Sequence, residues 1–330
     1  MACSQRSVAV VGAGISGLVC AGKLQRSGFD VAVFEKARGP GGRITTRRRN
    51  SERFDHGAQF FTAKTKAFSA VLEEWAAAEV VAPWSARFGL WSEGEFAVHH
   101  PRGERWVGRP RMSAIGRHLA LGLPIQLATR VVRISRDQTG WRLWVEQGDC
   151  LGPFDAVVLS CPGPQAVELF PPDSLPWTRA ARLQYASCWA VMLSFATPVS
   201  LPFDGIQWSH PMLAWSARDS SKPGRSPGER WVIHTQAAWS DVHIEDSPEV
   251  VAQAVASEWQ KITGDVSTDI SAHRWRFSLA KSKLDAPAFF DTDESLGLCG
   301  DGLAGPRIED AWHSGRAMAQ QIERALGVGP

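Results

Sequence analysis

The sequence predicts an α/β protein with two domains: a dinucleotide-binding domain on a parallel sheet, discontinuous along the chain, and a substrate domain on an antiparallel sheet with helices. Strand-and-helix patterns at both ends enclose a middle rich in predicted strands. The 330 residues also exceed the length of one typical core. The predicted ranges are 1–62, 105–163 and 288–330 for the first domain and 63–104 and 164–287 for the second.

The N-terminal segment has the parts of a dinucleotide-binding βαβ unit. Residues 8–11 form an unbroken apolar run, which is typical of a buried parallel strand. In the turn that follows, Gly12 permits the tight bend, Gly14 leaves room for a pyrophosphate at the helix N-terminus, and Gly17 allows close packing of helix and strand. The predicted phosphate-binding residues are Gly12, Gly14, Ile15, Ser16 and Gly17.

An acidic residue follows the next apolar run, residues 31–34. Glu35 lies 18 residues beyond Gly17, close to the roughly 20-residue spacing of a carboxylate that binds the adenosine ribose. Such a carboxylate repels a 2′-phosphate, so the tightly bound nucleotide is predicted not to be NADP. The neighbouring Lys36 is included in the predicted cofactor site.

The remaining elements follow from local patterns. Residues 38–49 combine glycine with arginine and predict a tight backbone path with positive charge beside the phosphates. The next predictions are a helix at 67–78, short antiparallel strands within 84–106, a helix start at 112–119, and strands at 125–134, 141–145 and 154–162, the last rejoining the first sheet. The second half predicts strands at 190–195, 205–208, 212–217 and 231–238, an exposed loop at 220–228, a helix at 248–262, a strand at 296–299 before a Gly-Asp turn, and a helix at 309–326.

Composition narrows the class of protein. The net charge of +2 and the 44% hydrophobic content are ordinary for a soluble protein and indicate neither nucleic acid nor a membrane as partner. The six cysteines are scattered without a CxxC pair, so neither a metal site nor a disulfide framework is expected, and a reducing cytoplasm fits best. The apolar N-terminus is interpreted as structural, because cleaving it as a signal peptide would delete the phosphate loop. The oligomeric state, monomer or homodimer, stays open.

Four features occur together and in order: the Gly12 to Gly17 loop with Glu35, the Gly41-Gly42-Arg43 turn, the strand at 155–162, and Gly300-Asp301. This combination resembles flavoproteins of the amine oxidase superfamily and implies FAD as the cofactor. The resemblance places Arg43 near the flavin or pyrophosphate, the backbone at Val132 near the adenine, and Asp301 near the ribityl or pyrophosphate region. It implies noncovalent FAD, because Cys299 does not stand at the attachment position of that superfamily. The cofactor residues implied in this way are Gly42, Arg43, Val132, Gly300, Asp301 and Ile308.

A narrower resemblance, carried by residues 57–63, 273–276, 299–302 and 309–315, is to bacterial renalase-like proteins. Members of that group are similar to oxidases that convert 2- and 6-dihydro isomers of NAD(P) to NAD(P)+, while O2 reoxidises the flavin and gives H2O2. The partners implied are a small-molecule dinucleotide and O2. A dihydropyridine already carries a labile hydride, so the protein need only hold its ring against the flavin at about 3–3.5 Å and exclude water. The residues predicted for this substrate face are Gln59, Phe61, His273, Arg274 and Trp275.

Within that set, Trp275 is predicted to stack on the substrate ring, and Arg274 or Arg276 to pair with the substrate pyrophosphate. His273 is interpreted as a hydrogen-bonded scaffold residue, and residues 47–49 as a solvated edge. Two further functions stay open: an amine oxidase, disfavoured because one tyrosine cannot supply a tyrosine pair, and a non-catalytic flavin-binding redox sensor. A lipid desaturase is also disfavoured, because the sequence offers no long apolar entry helix.

Overall fold

The computed structural model describes residues 5–327, over which twenty strands and nine α-helices are formed; Cys3 lies outside the described residues. The strands are β1 (Ser7–Val11), β2 (Asp30–Phe34), β3 (Arg47–Arg49), β4 (Glu52–Phe54), β5 (Val81–Pro83), β6 (Phe88–Ser92), β7 (Glu95–His99), β8 (Trp106–Gly108), β9 (Ile125–Gln126), β10 (Val131–Asp137), β11 (Gly140–Val145), β12 (Cys150–Phe154), β13 (Ala156–Leu159), β14 (Tyr185–Phe195), β15 (Gly205–Trp208), β16 (Leu213–Arg218), β17 (Glu229–Thr235), β18 (Asp269–Ala280), β19 (Ala288–Asp291) and β20 (Leu296–Cys299). The helices are α1 (Ile15–Arg26), α2 (Lys66–Ala77), α3 (Ser113–Leu119), α4 (Gly163–Val167), α5 (Leu175–Ala181), α6 (Ala237–Val242), α7 (Pro248–Thr263), α8 (Asp301–Ala304) and α9 (Ile308–Leu326). Among the helices of the described residues, none is both long and apolar enough to cross a bilayer.

The chain divides into two compact units, and the first comprises residues 5–42, 116–185 and 280–327. Its six-stranded sheet has the order β19-β20-β13-β1-β2-β9. Strand β1 pairs in parallel with β2 and with β13, and β13 pairs in parallel with β20. Apart from Ser7, the residues of the central strands β20, β13 and β1 are buried and apolar, as expected for a parallel sheet covered on both faces. Helices α1 and α9 pack against each other in the core on one face, and the antiparallel sheet β10-β11-β12 contributes to a second core.

The second unit comprises residues 43–115 and 186–279 and is built on a seven-stranded sheet of order β18-β14-β17-β16-β15-β6-β7. The core of this unit is rich in tryptophan, with Trp189, Trp231 and Trp259 fully buried. Trp259 belongs to α7, which begins after the Ser247 cap and is followed by Gly264 in the left-handed conformation. The predicted combination of a Rossmann-like domain and an antiparallel domain with helices is confirmed.

The unit boundaries differ from the predicted domain boundaries. Residues 43–62 and 105–115 belong to the second unit, because the β3–β4 hairpin contacts β17 and β8 pairs with β5. Residues 164–185 and 280–287 belong to the first, where α5 contacts β19 and β20. Both differences arise from contacts between residues that are distant in sequence, and a local sequence pattern cannot show such contacts.

Three local predictions were wrong. Residues 125–134 are not one strand, since β9 and β10 belong to different sheets and Ala128 turns the chain between them at a φ of 53°. The strand predicted at 231–238 ends at Thr235, and α6 begins two residues later. The segment 220–228 is not an exposed loop throughout, because its Lys222 is buried.

Candidate functional site

The predicted phosphate loop between β1 and α1 offers open space and backbone N–H groups to an anion. At Gly12, with a φ of 106°, an added Cβ would lie 2.9 Å from the Ser160 carbonyl oxygen. Gly14 precedes the first turn of α1, which carries neither a side-chain cap nor an acidic residue among the described residues. An added Cβ at Gly14 would meet nothing within 4 Å. The positive end of α1 and its first N–H groups, including those of Ile15 and Ser16, are therefore available to a phosphate.

Glu35 follows β2 and is almost fully buried beside this loop. Its Oε2 accepts a hydrogen bond from the Ala13 N–H at 2.8 Å, and its Oε1 accepts one from the Ala37 N–H at 2.8 Å. A carboxylate has about four acceptor positions, so two remain for the hydroxyls of a ribose. Lys36 is exposed, and the Thr129 N–H donates to the Glu35 carbonyl oxygen at 2.9 Å. These contacts fit the adenosine end of a dinucleotide.

Other predicted cofactor residues of the first unit lie in short turns. An added Cβ at Gly42 would lie 3.3 Å from the Gly14 Cα, so this turn lies against the phosphate loop. Asp301 is buried at the start of α8, directly after Gly300. Ile308 is buried in the first turn of α9. In the same unit, Val132 stands at an irregularity in the pairing of β10 with β11 and is 45% exposed. Arg43 belongs to the second unit, where it donates to the Ser278 carbonyl oxygen at 3.1 Å.

In the second unit, His273 and Trp275 from β18 meet His56, which follows β4. The rings of His56 and His273 are 4.7 Å apart, those of His56 and Trp275 are 5.1 Å apart, and those of His273 and Trp275 are 4.5 Å apart. Trp275 Nε1 donates to the His56 carbonyl oxygen at 3.0 Å, and His234 Nε2 lies 3.3 Å from the same oxygen. We call His56, His273 and Trp275 the aromatic cluster. It brings together two of the predicted substrate residues.

The aromatic cluster is electrically neutral at pH 7. Burial, reinforced by His273 and Arg47, lowers the pKa of His56 to about 3. Burial lowers the pKa of His234 to about 4, and burial together with Arg47 does the same for the pKa of His273. Arg47 Nη1 lies 3.1 Å from His273 Nδ1, so His273 accepts this hydrogen bond in its neutral form. The contact agrees with the interpretation of His273 as a scaffold residue and gives the cluster a cationic neighbour.

The lowered histidine pKa values predict acid sensitivity. Because the native values lie below the ordinary 6.5, the unfolded chain binds more protons between about pH 4 and 6.5. The free energy of unfolding therefore falls as the pH is lowered through that window, by up to about 1.4 kcal/mol per pH unit for His56 and for His234 and by less for His273. Above about pH 7 this dependence disappears. Urea unfolding of the purified protein at pH 7, 6 and 5 measures it.

The matched variants for this measurement are His56→Phe, which deletes one such group, and His100→Gln at an exposed histidine. We expect His56→Phe to flatten the pH dependence and His100→Gln to leave it unchanged. Equal slopes for the wild type and His56→Phe would mean that His56 does not resist protonation in the folded state.

The structure corrects the role predicted for Gln59. Its Nε2 donates to the carbonyl oxygens of Asp55 and Gly57, and its Oε1 accepts from Lys222 Nζ at 2.9 Å. The amide is thus engaged inside the unit and is not presented to a substrate. Phe61 is also buried, with its ring against Phe68 at a centroid distance of 6.2 Å, and acts as a packing residue.

The arginine predictions also need correction. Arg274 and Arg276 both pair with Glu245, at 3.3 and 2.6 Å. Arg274 in addition lies over the Trp189 ring, 5.0 Å from its centroid. Both guanidinium groups are thus already engaged with a carboxylate, which opposes the predicted pairing with a substrate pyrophosphate. Residues 47 and 48 are exposed, but Arg47 contacts His273 and Arg49 is bound to Asp269, so only Arg48 fits the solvated-edge interpretation.

Sequence reasoning missed a buried ionic network around Asp55, the residue that precedes His56 of the aromatic cluster. Lys222 Nζ lies 2.8 Å from Asp219 and 3.8 Å from Asp55, and Arg225 pairs with Asp55 as well. Although burial opposes it, Arg225 and Lys222 hold the pKa of Asp55 below its ordinary value.

Two protein-family models match this chain. The model of the NAD(P)-binding Rossmann-like domain matches residues 10–75, and that of flavin-containing amine oxidoreductases matches residues 89–323. Among curated proteins, a segment of 38 residues is 60% identical to a zeta-carotene-forming phytoene desaturase from Myxococcus xanthus, and one of 55 residues is 53% identical to a possible lysine-specific histone demethylase 1 from Drosophila melanogaster. These segments are 12% and 17% of this chain, which spans only 7% and 6% of the two relatives.

Solved structures match over nearly the whole chain. A putative protoporphyrinogen oxidase from Exiguobacterium sp. superposes with a TM-score of 0.80 at 16% identity, covering 97% of this chain and 99% of that one. Cyclohexylamine oxidase from Brevibacterium oxydans gives a TM-score of 0.76 at 12% identity, covering 98% and 100%. At such identities the likeness shows the fold alone.

Proposed function

The chain belongs to the family of flavin-containing amine oxidoreductases, and from this premise we propose that it is a renalase-like oxidase of misreduced dinucleotides. The proposed substrates are the 2- and 6-dihydro isomers of NAD(P), the product is NAD(P)+, and the electrons pass to O2 to give H2O2. Noncovalently bound FAD would supply the acceptor for the hydride and the route to O2. The protein's own contribution is to bind the substrate, hold its ring and exclude water.

One observation carries this proposal: the aromatic cluster is flat-ringed, uncharged and placed next to a cation. Neutral rings suit a planar dihydropyridine, since stacking needs no charge on either partner. Arg47, on the strand β3 beside His273, offers a guanidinium to the phosphates of a dinucleotide. A labile hydride needs no protein base, and the lowered pKa values of His56 and His273 mean that neither residue carries the acidic second ring proton of an imidazolium at pH 7.

The amine oxidase alternative fits this charge distribution less well. A protonated amine would be repelled by Arg47. The chain has one tyrosine, Tyr185, and in the first unit its hydroxyl accepts a hydrogen bond from the Gly163 N–H at 3.4 Å. A third possibility, a flavin-binding redox sensor without a substrate, predicts no rapid reduction by either compound.

Anaerobic stopped-flow mixing separates these functions. We expect 2- or 6-dihydroNAD(P) to bleach the flavin of the FAD-loaded protein within milliseconds to seconds, whereas ordinary NADH, which is the 4-dihydro isomer, and primary amines leave it oxidised. Bleaching by amines alone would establish the amine oxidase instead. Oxidised flavin in every mixture would favour the sensor.

Arg47→Gln, with Arg48→Gln as the matched control, tests the charge argument in the same assay. The two arginines are consecutive on β3 and therefore point to opposite faces of the strand. We expect Arg47→Gln to raise the dissociation constant of the dihydro substrate about tenfold, because one charge-assisted contact is lost. Arg48→Gln should change it less than about twofold. Equal effects of the two variants would remove the case for a phosphate contact at Arg47.

A further inference from the structure

Arg105, which directly precedes β8 in the second unit, has no counter-charge within the protein. No ion pair and no hydrogen bond joins its side chain to another described residue, and its Nε and Nη1 atoms are buried. The third nitrogen, Nη2, likewise has no acceptor in the part of the chain that the structure describes, but it is open to solvent. Because a guanidinium stays charged in a protein, Nη2 presents a free cationic donor to an anion from outside.

The pKa of Arg105 reflects this lack of a partner. A hydrogen bond to Asp269 raises the pKa of Arg49, as expected for an arginine with a carboxylate beside it. The pKa of Arg105 is lowered instead, and burial is the cause. The charged form thus loses hydration without gaining an opposite charge, and an anion supplied by a ligand would offset that loss.

Aromatic rings, and not a carboxylate, hold the Arg105 guanidinium. Its Cζ lies 4.6 Å from the centroid of the Phe60 ring and 4.4 Å from that of the Phe88 ring. The Trp215 ring stands next to both phenyl rings, at centroid distances of 5.4 and 6.2 Å. Gly205 leaves room for this packing, because an added Cβ there would lie 2.7 Å from the Phe88 ring and 3.0 Å from that of Trp215. We call Arg105, Phe60, Phe88 and Trp215 the Arg105 site. Contacts with rings orient the cation without neutralising it.

The main chain fixes the two central members of the site. The Arg105 carbonyl oxygen accepts a hydrogen bond from the Trp84 N–H at 2.8 Å. Phe61 and Trp106 exchange two backbone hydrogen bonds, both of 2.8 Å. Phe60 and Arg105 each precede one member of this bridged pair, so they are held close together before any ligand arrives.

The Arg105 site adjoins the aromatic cluster through His234. Directly opposed residues of antiparallel strands point to the same face of a sheet, and Trp215 on β16 is opposed to His234 on β17. His234 Nε2 lies 3.3 Å from the carbonyl oxygen of His56, a member of the aromatic cluster. Ile233, the preceding residue of β17, belongs to the tryptophan-rich core on the other face. One ligand can therefore contact both the aromatic cluster and the Arg105 site.

We propose that Arg105 binds a phosphate of the dinucleotide whose nicotinamide ring lies at the aromatic cluster, an inference that rests on the function proposed above. The pyrophosphate of a dinucleotide carries two negative charges, and Arg47 beside His273 supplies one cation. Arg105 Nη2 supplies the second, as a charge-assisted donor. Since the rings already order this guanidinium, little side-chain entropy is lost when the phosphate binds.

Isothermal titration of the FAD-loaded protein tests the site with two probes. Inorganic pyrophosphate tests the anion site without a nicotinamide ring, and NAD+ tests its use by a dinucleotide. The variant is Arg105→Gln, and Arg102→Gln, at an exposed arginine three residues earlier, is the matched control. We expect Arg105→Gln to weaken both ligands about tenfold and to reduce the salt dependence of NAD+ binding. The control should change either affinity less than about twofold.

A second variant separates charge from packing. Arg105→Lys keeps a cation but loses the planar group that lies between the rings, so it should bind pyrophosphate more tightly than Arg105→Gln does. A purely structural role of Arg105 predicts equal binding by these two variants. Flavin content and thermal unfolding of each variant show whether the fold is retained.

Absence of pyrophosphate binding to the wild type at millimolar concentration, or binding of both ligands that Arg105→Gln leaves intact, overturns the proposal. Pyrophosphate binding that depends on Arg105, together with NAD+ binding that does not, would assign the site to another anion and overturn its link to the dinucleotide. Binding of both ligands through Arg105, in a protein whose flavin stays oxidised with dihydroNAD(P), would retain the site and remove only the proposed oxidase.

Discussion

Replacing Lys222 with methionine is expected to lower the free energy of unfolding by about 3–5 kcal/mol. The Lys222 side chain is fully buried, and its ammonium group contacts Asp219 at 2.8 Å and Gln59 Oε1 at 2.9 Å. Methionine has a similar length but no charge, so the Asp219 carboxylate would remain buried without a cation. The loss comes from that uncompensated charge and not from a cavity.

Urea unfolding of the FAD-loaded variants measures this effect, with Lys66→Met at an exposed lysine as the control. The control should change stability by no more than about 0.5 kcal/mol. Adding Asp219→Asn to Lys222→Met removes the unpaired charge and should recover part of the loss. A Lys222→Met protein as stable as the control, or a double variant no better than the single one, would show that the ion pair does not hold this loop.

The sequence could not have predicted the burial of Lys222, for a physical reason. Residues 220–228 are polar and rich in glycine and proline, which locally is the composition of an exposed loop. The partners that bury the lysine include Gln59, which is 163 residues away. Burial of a charged residue depends on such distant partners, and no local pattern contains them.

The nucleotide-binding half of the first unit was predictable because its signals are local. The strand β1, the glycine turn and α1 occupy one continuous segment, and Glu35 follows at a spacing fixed by the length of that helix. For the second unit, the sequence predicted individual strands but not the order in which they pair in the sheet. Its strands β15 and β6 pair in parallel although more than a hundred residues separate them.

The candidate substrate residues show the same division. His273 and Trp275 were predicted and lie together, but their partner His56 was missed, because nothing beside it in sequence indicates that it will meet β18. Gln59 and Phe61 were predicted from their position in a resembling segment. Both side chains are buried in the interior of the unit. Residue type alone does not show whether a side chain points into the interior or toward a substrate.

The second large effect is expected at the phosphate loop, where Gly14→Val should abolish FAD binding while the polypeptide still folds. An added Cβ at Gly14 meets no atom within 4 Å, and the backbone φ there is −74°, which any residue adopts. The valine branches would then occupy the space in front of the α1 N-terminus that a pyrophosphate needs. We expect FAD affinity to fall at least about a hundredfold, about 2.7 kcal/mol. The loss in stability of the FAD-free protein should be only about 0.5–1 kcal/mol, as for a poorer N-cap residue.

Gly17→Ala, three residues further on, is expected to act mainly on stability, with the loss of FAD binding as a consequence. Its Cβ would lie 2.1 Å from the Gly12 carbonyl oxygen, which is backbone and cannot move aside without opening the turn between β1 and α1. The FAD-free protein should lose about 3 kcal/mol or more, and cofactor binding would be lost with the fold. Gly22→Ala is the control within the same helix, since its Cβ would meet only the end of the Arg26 side chain at 3.4 Å. We expect that substitution to stabilise α1 by about 0.5–1 kcal/mol and to leave FAD binding intact.

Two measurements distinguish the effects of the Gly14 and Gly17 substitutions. They are the flavin content after purification and the thermal unfolding of the FAD-free proteins. Gly14→Val should be colourless yet cooperative in unfolding, Gly17→Ala colourless and unstable, and Gly22→Ala yellow and stable. A yellow Gly14→Val protein with normal affinity for FAD would mean that the pyrophosphate does not approach α1 at this position, and the assignment of the loop to the cofactor would then have to be abandoned.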